Sequence, residues 1–96
     1  MDIAGELHAN RDVILRLAAQ HGARDVRIFG SVARGQAHPT SDVDILITLD
    51  DGRSLLDLIA FKHAVEDLLG RPVDVVTPAG VSKYIRDTVL KEAVDL

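Results

Sequence analysis

The stretch Asp42-Val43-Asp44-Ile45-Leu46-Ile47-Thr48-Leu49 decides the fold of this 96-residue chain. Every second residue from Val43 to Leu49 is a large aliphatic one, which predicts a strand with one apolar face. Asp50-Asp51-Gly52 follows as a turn sequence, so we expect the strand to end there. Two aspartates at the start of such a strand are not required by a core and need a separate explanation.

Hydrophobic periodicity on either side of this strand predicts the remaining elements. We expect a helix over 2–21, a strand over 24–29, a short helix over 32–34, a polar loop over 35–41, a helix over 54–69, a strand over 73–76 and a final helix over 82–94. The resulting order αβαβαβα indicates an α/β domain of two or three layers. At this length, residues 1–96 are expected to form a single domain.

Composition excludes several classes of function. The chain has a formal charge of −4 and no run of Lys and Arg, which disfavours binding to a long nucleic acid. It has no cysteine, so disulfides, thiolate zinc sites and thiol nucleophiles are excluded. No apolar run approaches the roughly 20 residues that span a bilayer. Because the N-terminus is also acidic and unlike a signal peptide, we expect a cytoplasmic protein without membrane contact.

Three carboxylates form the candidate catalytic and metal-binding set. Asp42 and Asp44 are two residues apart at the start of a strand, so their side chains point to the same face. Two adjacent carboxylates repel each other, and a divalent cation relieves that repulsion. Asp74 is a single acid among the apolar residues of another predicted strand. If the two strands are neighbours, Asp74 reaches the same site as a metal ligand or as a general base.

Gly30-Ser31 is the candidate nucleotide-binding element. It follows a predicted strand directly and precedes a predicted helical turn. Glycine allows the backbone to approach a phosphate closely, and backbone amides together with the Ser31 hydroxyl can donate to phosphate oxygens. Arg34 lies one turn further and offers a planar pair of donors to the same polyphosphate.

Together these residues resemble a known family. Gly30-Ser31-Val32-Ala33-Arg34-Gly35, followed by Ser41-Asp42-Val43-Asp44-Ile45-Leu46-Ile47, is similar to the motif of the DNA polymerase β-like nucleotidyltransferases. It resembles more closely the motif of the minimal nucleotidyltransferases within that superfamily. Asp74 falls where that family has its third carboxylate. The resemblance implies a small mixed β-sheet flanked by helices, and attack of a hydroxyl on the α-phosphate with pyrophosphate as the leaving group.

The resemblance also implies a biological role. Many minimal nucleotidyltransferases are antitoxins paired with a helical HEPN-domain toxin, and they are similar to enzymes that transfer AMP from ATP to a tyrosine of the toxin. On that basis we expect ATP as substrate, Mg²⁺ as cofactor with two ions bound, and a HEPN-domain toxin as partner in a hetero-oligomer. Asp42, Asp44 and Asp74 would bind metal and catalyse transfer, while Gly30, Ser31 and Arg34 would bind the nucleotide.

Other interpretations remain open for individual residues and for the function. Asp42 and Asp44 could belong to a polar loop at the start of a strand, Asp74 could be an exposed residue on an edge strand, and Arg34 could form a surface salt bridge. The protein could also neutralise a toxin by binding alone, without catalysis. A third possibility is transfer of the nucleotide to a small molecule or to an RNA end.

Overall fold

The computed structural model describes residues 2–38 and 42–96, which form one four-stranded mixed sheet and the helices that flank it. The strands are β1 (Ala23–Phe29), β2 (Val43–Leu49), β3 (Val73–Val76) and β4 (Val94–Asp95). The helices are α1 (Ile3–Ala9), α2 (Arg11–Gln20), α3 (Gly30–Ala33), α4 (Leu55–Leu69) and α5 (Arg86–Glu92), and a 3-10 turn covers Pro78–Gly80. The mixed sheet with flanking helices is therefore confirmed. Within the described part of the chain, no helix is both long and apolar enough to cross a bilayer.

The order of the strands brings three chain segments to one end of the sheet. The order is β3-β2-β1-β4, with β2 antiparallel to β1 and parallel to β3. Phe29, the last residue of β1, lies opposite Asp44 near the start of β2. Asp44 in turn lies opposite Asp74 near the start of β3. The end of β1 and the beginnings of β2 and β3 consequently meet.

The two faces of the sheet differ in how they are covered. Val43, Ile45 and Ile47 are fully buried in the larger core, which α1, α2 and α4 also line. Leu46 points to the opposite face, into a smaller cluster with Val81 and Val89 from the segment around α5. Because side chains alternate along a strand, the even-numbered positions of β2 belong to this second face. The predicted carboxylates of β2 and β3 therefore lie on the less covered face.

Residues at the helix ends fix where α1 and α4 begin and where α4 ends. The Asp2 carboxylate accepts a hydrogen bond from the Gly5 amide at 2.7 Å and caps α1. Ser54 and Asp57 form a capping box at the start of α4. Gly70 ends α4 in the left-handed region, with φ of 68°. The capping box and the left-handed conformation of Gly70 explain why α4 begins and ends where the sequence predicts.

The single helix predicted over 2–21 is instead two helices. Asn10 separates α1 from α2, with φ of −101° and ψ of 10°. Its side-chain amide donates to the Glu6 carbonyl at 2.8 Å, an oxygen that also accepts from the Asn10 backbone amide at 3.0 Å. Asparagine commonly competes with helical hydrogen bonds in this way. The periodicity of the apolar residues does not reveal such a break.

The end of the chain also departs from the prediction. The helix expected over 82–94 covers only Arg86–Glu92, and Ile85, which precedes it, is 54% exposed. Val94–Asp95 is a strand that pairs with β1, so the order αβαβαβα lacked β4. The Leu96 amide extends this pairing by donating to the Val26 carbonyl at 3.2 Å. A two-residue strand has no periodicity of its own and depends on a partner far away in sequence.

The loop predicted over 35–41 agrees with the structure as far as residue 38. Residues 39–41, including Ser41 of the motif, lie outside the described residues. The short helix predicted over 32–34 begins earlier, since α3 covers Gly30–Ala33.

Candidate nucleotide and metal site

Gly30 brings the backbone of α3 against a carboxylate of β2. It follows β1 immediately and has φ of +73°, a conformation that side chains other than glycine rarely adopt. A Cβ atom at this position would overlap the Asp44 carboxylate oxygen Oδ2. Glycine is therefore required here for two independent reasons, the backbone conformation and the closeness of Asp44.

Asp42, Asp44 and Asp74 are brought to the same end and the same face of the sheet. Asp44 is half-buried and lies opposite Asp74 in the parallel pair of β2 with β3, where neighbouring strands are about 4.8 Å apart. Asp42 precedes Asp44 by two residues and is exposed, as is Asp74. Asp74 also lies on an edge strand, as one of the alternative interpretations supposed. The structure thus combines one half-buried carboxylate with two that are open to an incoming molecule.

The electrostatics of Asp44 reflect this crowding. Burial raises the pKa of Asp44 above its usual value, and the negative charges of Asp74 and Asp42 raise this pKa further. The positive charge of Arg34 acts in the opposite direction and lowers the pKa of Asp44. The pKa of Asp44 therefore responds to both other carboxylates and to Arg34, so Asp44 interacts electrostatically with all three groups.

The donor set suits a hard cation that brings further ligands with it. In residues 2–38 and 42–96, no three side chains of His, Cys, Asp or Glu stand close enough together to hold a metal ion by themselves. Mg²⁺ usually binds to one or two protein carboxylates and completes its coordination with phosphate oxygens and water. The charges of Asp74 and Asp42 add to the effect of burial in raising the pKa of Asp44, so a cation beside Asp44 would relieve this repulsion. These residues fit Mg²⁺ bound together with a polyphosphate.

The Ser31 hydroxyl is available to a ligand in this structure. Ser31 lies in the first turn of α3 and is partly buried, and its carbonyl accepts a hydrogen bond from the Gln36 amide at 2.9 Å. Among the described residues, its hydroxyl makes no side-chain hydrogen bond, and it does not cap α3. The turn over 30–36 is therefore held by backbone bonds, without help from the Ser31 hydroxyl.

Arg34 takes part in a salt bridge, and its charge also reaches Asp44. Its Nη1 donates to the Glu92 carboxylate oxygens at 3.1 and 3.3 Å, and its Nε donates to Gln36 Oε1 at 3.1 Å. The salt bridge is thus present, but Arg34 also acts on Asp44 through space. Glu92 and Gln36 were not singled out from the sequence. No local signal could have identified Glu92, which is 58 residues from Arg34.

Comparison with known proteins places the chain in a family. The family model for the nucleotidyltransferase domain matches residues 11–96. The protein adenylyltransferase MntA of Thermococcus cleftensis is 41% identical over 78 residues, which cover 81% of this chain and 79% of that protein. The range matched by the family model includes all of the candidate site residues, from Gly30 to Asp74.

Solved structures agree with this assignment. One that is described provisionally as a minimal nucleotidyltransferase has a TM-score of 0.88 and 48% identity, and the match covers 100% of this chain and 97% of that one. A chain from the crystal structure of a toxin-antitoxin with AMP-PNP has a TM-score of 0.75 and 22% identity, over 90% of this chain and 71% of that one. The second likeness shows the fold alone. The chain belongs to the nucleotidyltransferase domain family and is an enzyme of the nucleotidyltransferase class.

Proposed function

We propose that the chain transfers AMP from Mg²⁺-bound ATP to a tyrosine hydroxyl of a HEPN-domain toxin and thereby acts as its antitoxin. The observation that carries the proposal is the position of Asp44, which lies opposite Asp74 in the sheet and beside the backbone of Gly30. It combines a half-buried carboxylate, an exposed carboxylate and a closely approaching backbone in one place. These are the parts that nucleotidyl transfer requires.

Asp42 and Asp44 are the residues that would hold Mg²⁺, and Asp74 would complete the site for two ions. When bound, Mg²⁺ neutralises charge on the polyphosphate and on the leaving pyrophosphate. Asp44 lies beside the Gly30 backbone, so a metal-bound phosphate would come close to Gly30 and the Ser31 hydroxyl. Ser31 would donate to a phosphate oxygen, and Arg34 would supply positive charge to the polyphosphate.

The transfer step needs a proton acceptor near the incoming hydroxyl. Asp74 is exposed on an edge strand, where an acceptor from outside the chain can reach it. The acceptor oxygen forms a bond to the α-phosphorus while the bond from that phosphorus to the bridging oxygen breaks and pyrophosphate leaves. The hydroxyl proton passes to the Asp74 carboxylate. Positioning and charge neutralisation provide most of the catalysis in reactions of this type.

Three facts support a protein as acceptor. MntA of Thermococcus cleftensis, 41% identical to this chain, is a protein adenylyltransferase. The structurally similar chain with 22% identity comes from a toxin-antitoxin solved with an ATP analogue. The formal charge of −4 also disfavours a long nucleic acid as the acceptor. A hydroxyl presented by a partner protein agrees with all three.

The test is an incubation of the purified chain with α-labelled ATP, Mg²⁺ and the HEPN-domain protein proposed as its partner, followed by mass spectrometry of both proteins. We expect AMP on a toxin tyrosine and none after Asp42→Asn substitution. If the Asp42→Asn variant neutralises the toxin as well as the wild type does, the toxin is neutralised by binding alone. The proposed role of AMP transfer would then be refuted. Label on a small molecule or an RNA end, with none on the toxin, would also contradict the proposal.

A further inference from the structure

Arg34 is held on two sides by residues that the family resemblance did not identify. Nη1 faces both oxygens of the Glu92 carboxylate, and Nε donates to Gln36. Within residues 2–38 and 42–96, the third nitrogen, Nη2, makes no hydrogen bond. A guanidinium has five N–H donors in a rigid plane, so fixing two nitrogens also fixes the direction of the third.

The two holding residues come from different parts of the chain. Gln36 follows Arg34 by two residues, in the turn after α3. Glu92 is the last residue of α5, which returns along the second face of the sheet and is followed directly by β4. The pairing of β4 with β1 anchors this end of α5 near the end of β1, beside α3. Glu92 is thereby placed by the sheet and not by α5 alone.

The exposure of the pair argues against a role in stability alone. Arg34 and Glu92 side chains are 44% and 29% exposed, and exposed ion pairs contribute little to folding, about 0–1 kcal/mol. The Arg34 charge nevertheless reaches Asp44. An arginine that is fixed in place before a ligand arrives loses less conformational entropy on binding it. The arrangement therefore favours a preorganised anion contact next to the carboxylates.

We propose that Glu92 and Gln36 are positioning residues that hold the Arg34 guanidinium with its Nη2 edge directed to the polyphosphate of the bound nucleotide. The proposal rests on the proposed function, since it assumes that ATP binds at Asp42 and Asp44. Neither Glu92 nor Gln36 contacts the nucleotide. Each acts through Arg34, so its effect on nucleotide affinity disappears when Arg34 is absent.

The test is a double-mutant cycle on the affinity for Mg²⁺ and a non-hydrolysable ATP analogue, measured by calorimetry. Arg34→Ala is expected to weaken binding about tenfold or more, because it removes a hydrogen bond between charged groups. Glu92→Ala is expected to weaken binding about threefold to tenfold, since Arg34 remains but is no longer fixed. The double variant should bind no more weakly than Arg34→Ala alone.

Two variants separate positioning from structure. Glu92→Gln keeps an oxygen acceptor at the same place and should restore part of the affinity. Asp50→Ala is the matched control, because it also removes one negative charge from an exposed pair with an arginine, Arg24, at 3.1 Å. Asp50 lies at the opposite end of β2, so its removal should leave affinity unchanged while altering the melting temperature as little as Glu92→Ala does.

The outcomes distinguish this inference from the proposed function. If the wild type does not bind the analogue, the nucleotide site itself is refuted. If the wild type binds it and Glu92→Ala binds equally well or more tightly, only the positioning role is overturned, and tighter binding would show that Glu92 competes with phosphate for Arg34. Additive losses in the double variant would equally contradict action through Arg34.

Discussion

Asp44 and Asp74 lie directly opposite each other on the parallel strands β2 and β3. Like charges in opposed positions destabilise a sheet, and here the burial of Asp44 adds to the cost. Within the described residues, the nearby positive charge of Arg34 offsets this only in part, because the pKa of Asp44 is still raised. We infer that this pair of residues serves binding at the expense of stability.

This conflict predicts opposite effects of Asp44→Asn on stability and on activity. The amide has nearly the same shape but no charge, so the melting temperature of the ligand-free chain should rise at neutral pH. Nucleotidyl transfer should fall by about 10²- to 10³-fold, because a lost metal ligand costs several kcal/mol of charge stabilisation. Calorimetric melting and initial rates measure the two effects.

The control for this change is Asp50→Asn. Asp50 is exposed and its carboxylate pairs with Arg24 at 3.1 Å, so removing its charge should not raise the melting temperature. Activity should stay at the wild-type level, since Asp50 lies at the far end of β2. A lower melting temperature in Asp44→Asn than in the wild type would refute the proposed conflict between binding and stability.

The raised pKa of Asp44 predicts how binding depends on pH. Mg²⁺ binds the deprotonated carboxylate, so affinity for Mg²⁺ and nucleotide should fall as pH decreases through the raised pKa of Asp44, at a higher pH than for an ordinary aspartate. The stability of the ligand-free chain depends on pH in the opposite direction. The folded state holds the Asp44 proton more tightly than the unfolded state, so the contribution of Asp44 to stability is greatest at low pH and decreases as pH rises through that raised pKa.

The effect of the Asp74 charge on Asp44 predicts that Asp74→Asn changes the pKa of Asp44. Removing the Asp74 charge should lower the pKa of Asp44 toward its usual value, although burial will keep part of the shift. The carboxyl ¹³C chemical shift of Asp44, followed by NMR over a pH titration, measures this directly. A titration midpoint that does not change in Asp74→Asn would mean that the two carboxylates do not interact.

How much of this could be predicted from the sequence depends on the range of the interactions. The bounds of β2 and β3 were predicted as they are observed, because alternation and turn residues are local signals. The shared face of Asp42 and Asp44 follows from their spacing alone. The opposition of Asp74 and Asp44 requires β3 to be the neighbour of β2, and periodicity does not specify which strands are neighbours.

The features that were missed depend on contacts between distant residues. β4 exists only through its pairing with β1, and Glu92 reaches Arg34 only because α5 returns along the sheet. Ile85 has helical spacing to Val89 in the sequence, but the helix begins one residue later and Ile85 is exposed. Such features depend on tertiary packing, which overrides local preference.

The capping box of α4 yields a prediction about stability alone. Ser54→Ala removes the side-chain acceptor at the start of α4 and should lower the free energy of unfolding by about 1 kcal/mol, or the melting temperature by about 4–8 °C. Because α4 packs on the face of the sheet opposite the carboxylates, the transfer rate at a temperature well below melting should not change. Chemical denaturation and initial rates check both expectations, and a large loss of activity would contradict the separation of the two faces.

Gly30→Ala tests the close approach of Gly30 to Asp44, and Gly52→Ala is its matched control. Both glycines have positive φ, +73° and +84°, so alanine at either position should cost about 1–2 kcal/mol of stability through backbone strain. Only at Gly30 would the new Cβ collide with Asp44, since nothing lies within 4 Å of a Cβ built at Gly52. Displacing Asp44 by about 1 Å should reduce transfer about 10²-fold, because rates are this sensitive to misplaced groups. Equal activity in the two variants, at matched stability, would show that the closeness of Gly30 and Asp44 does not matter for the reaction.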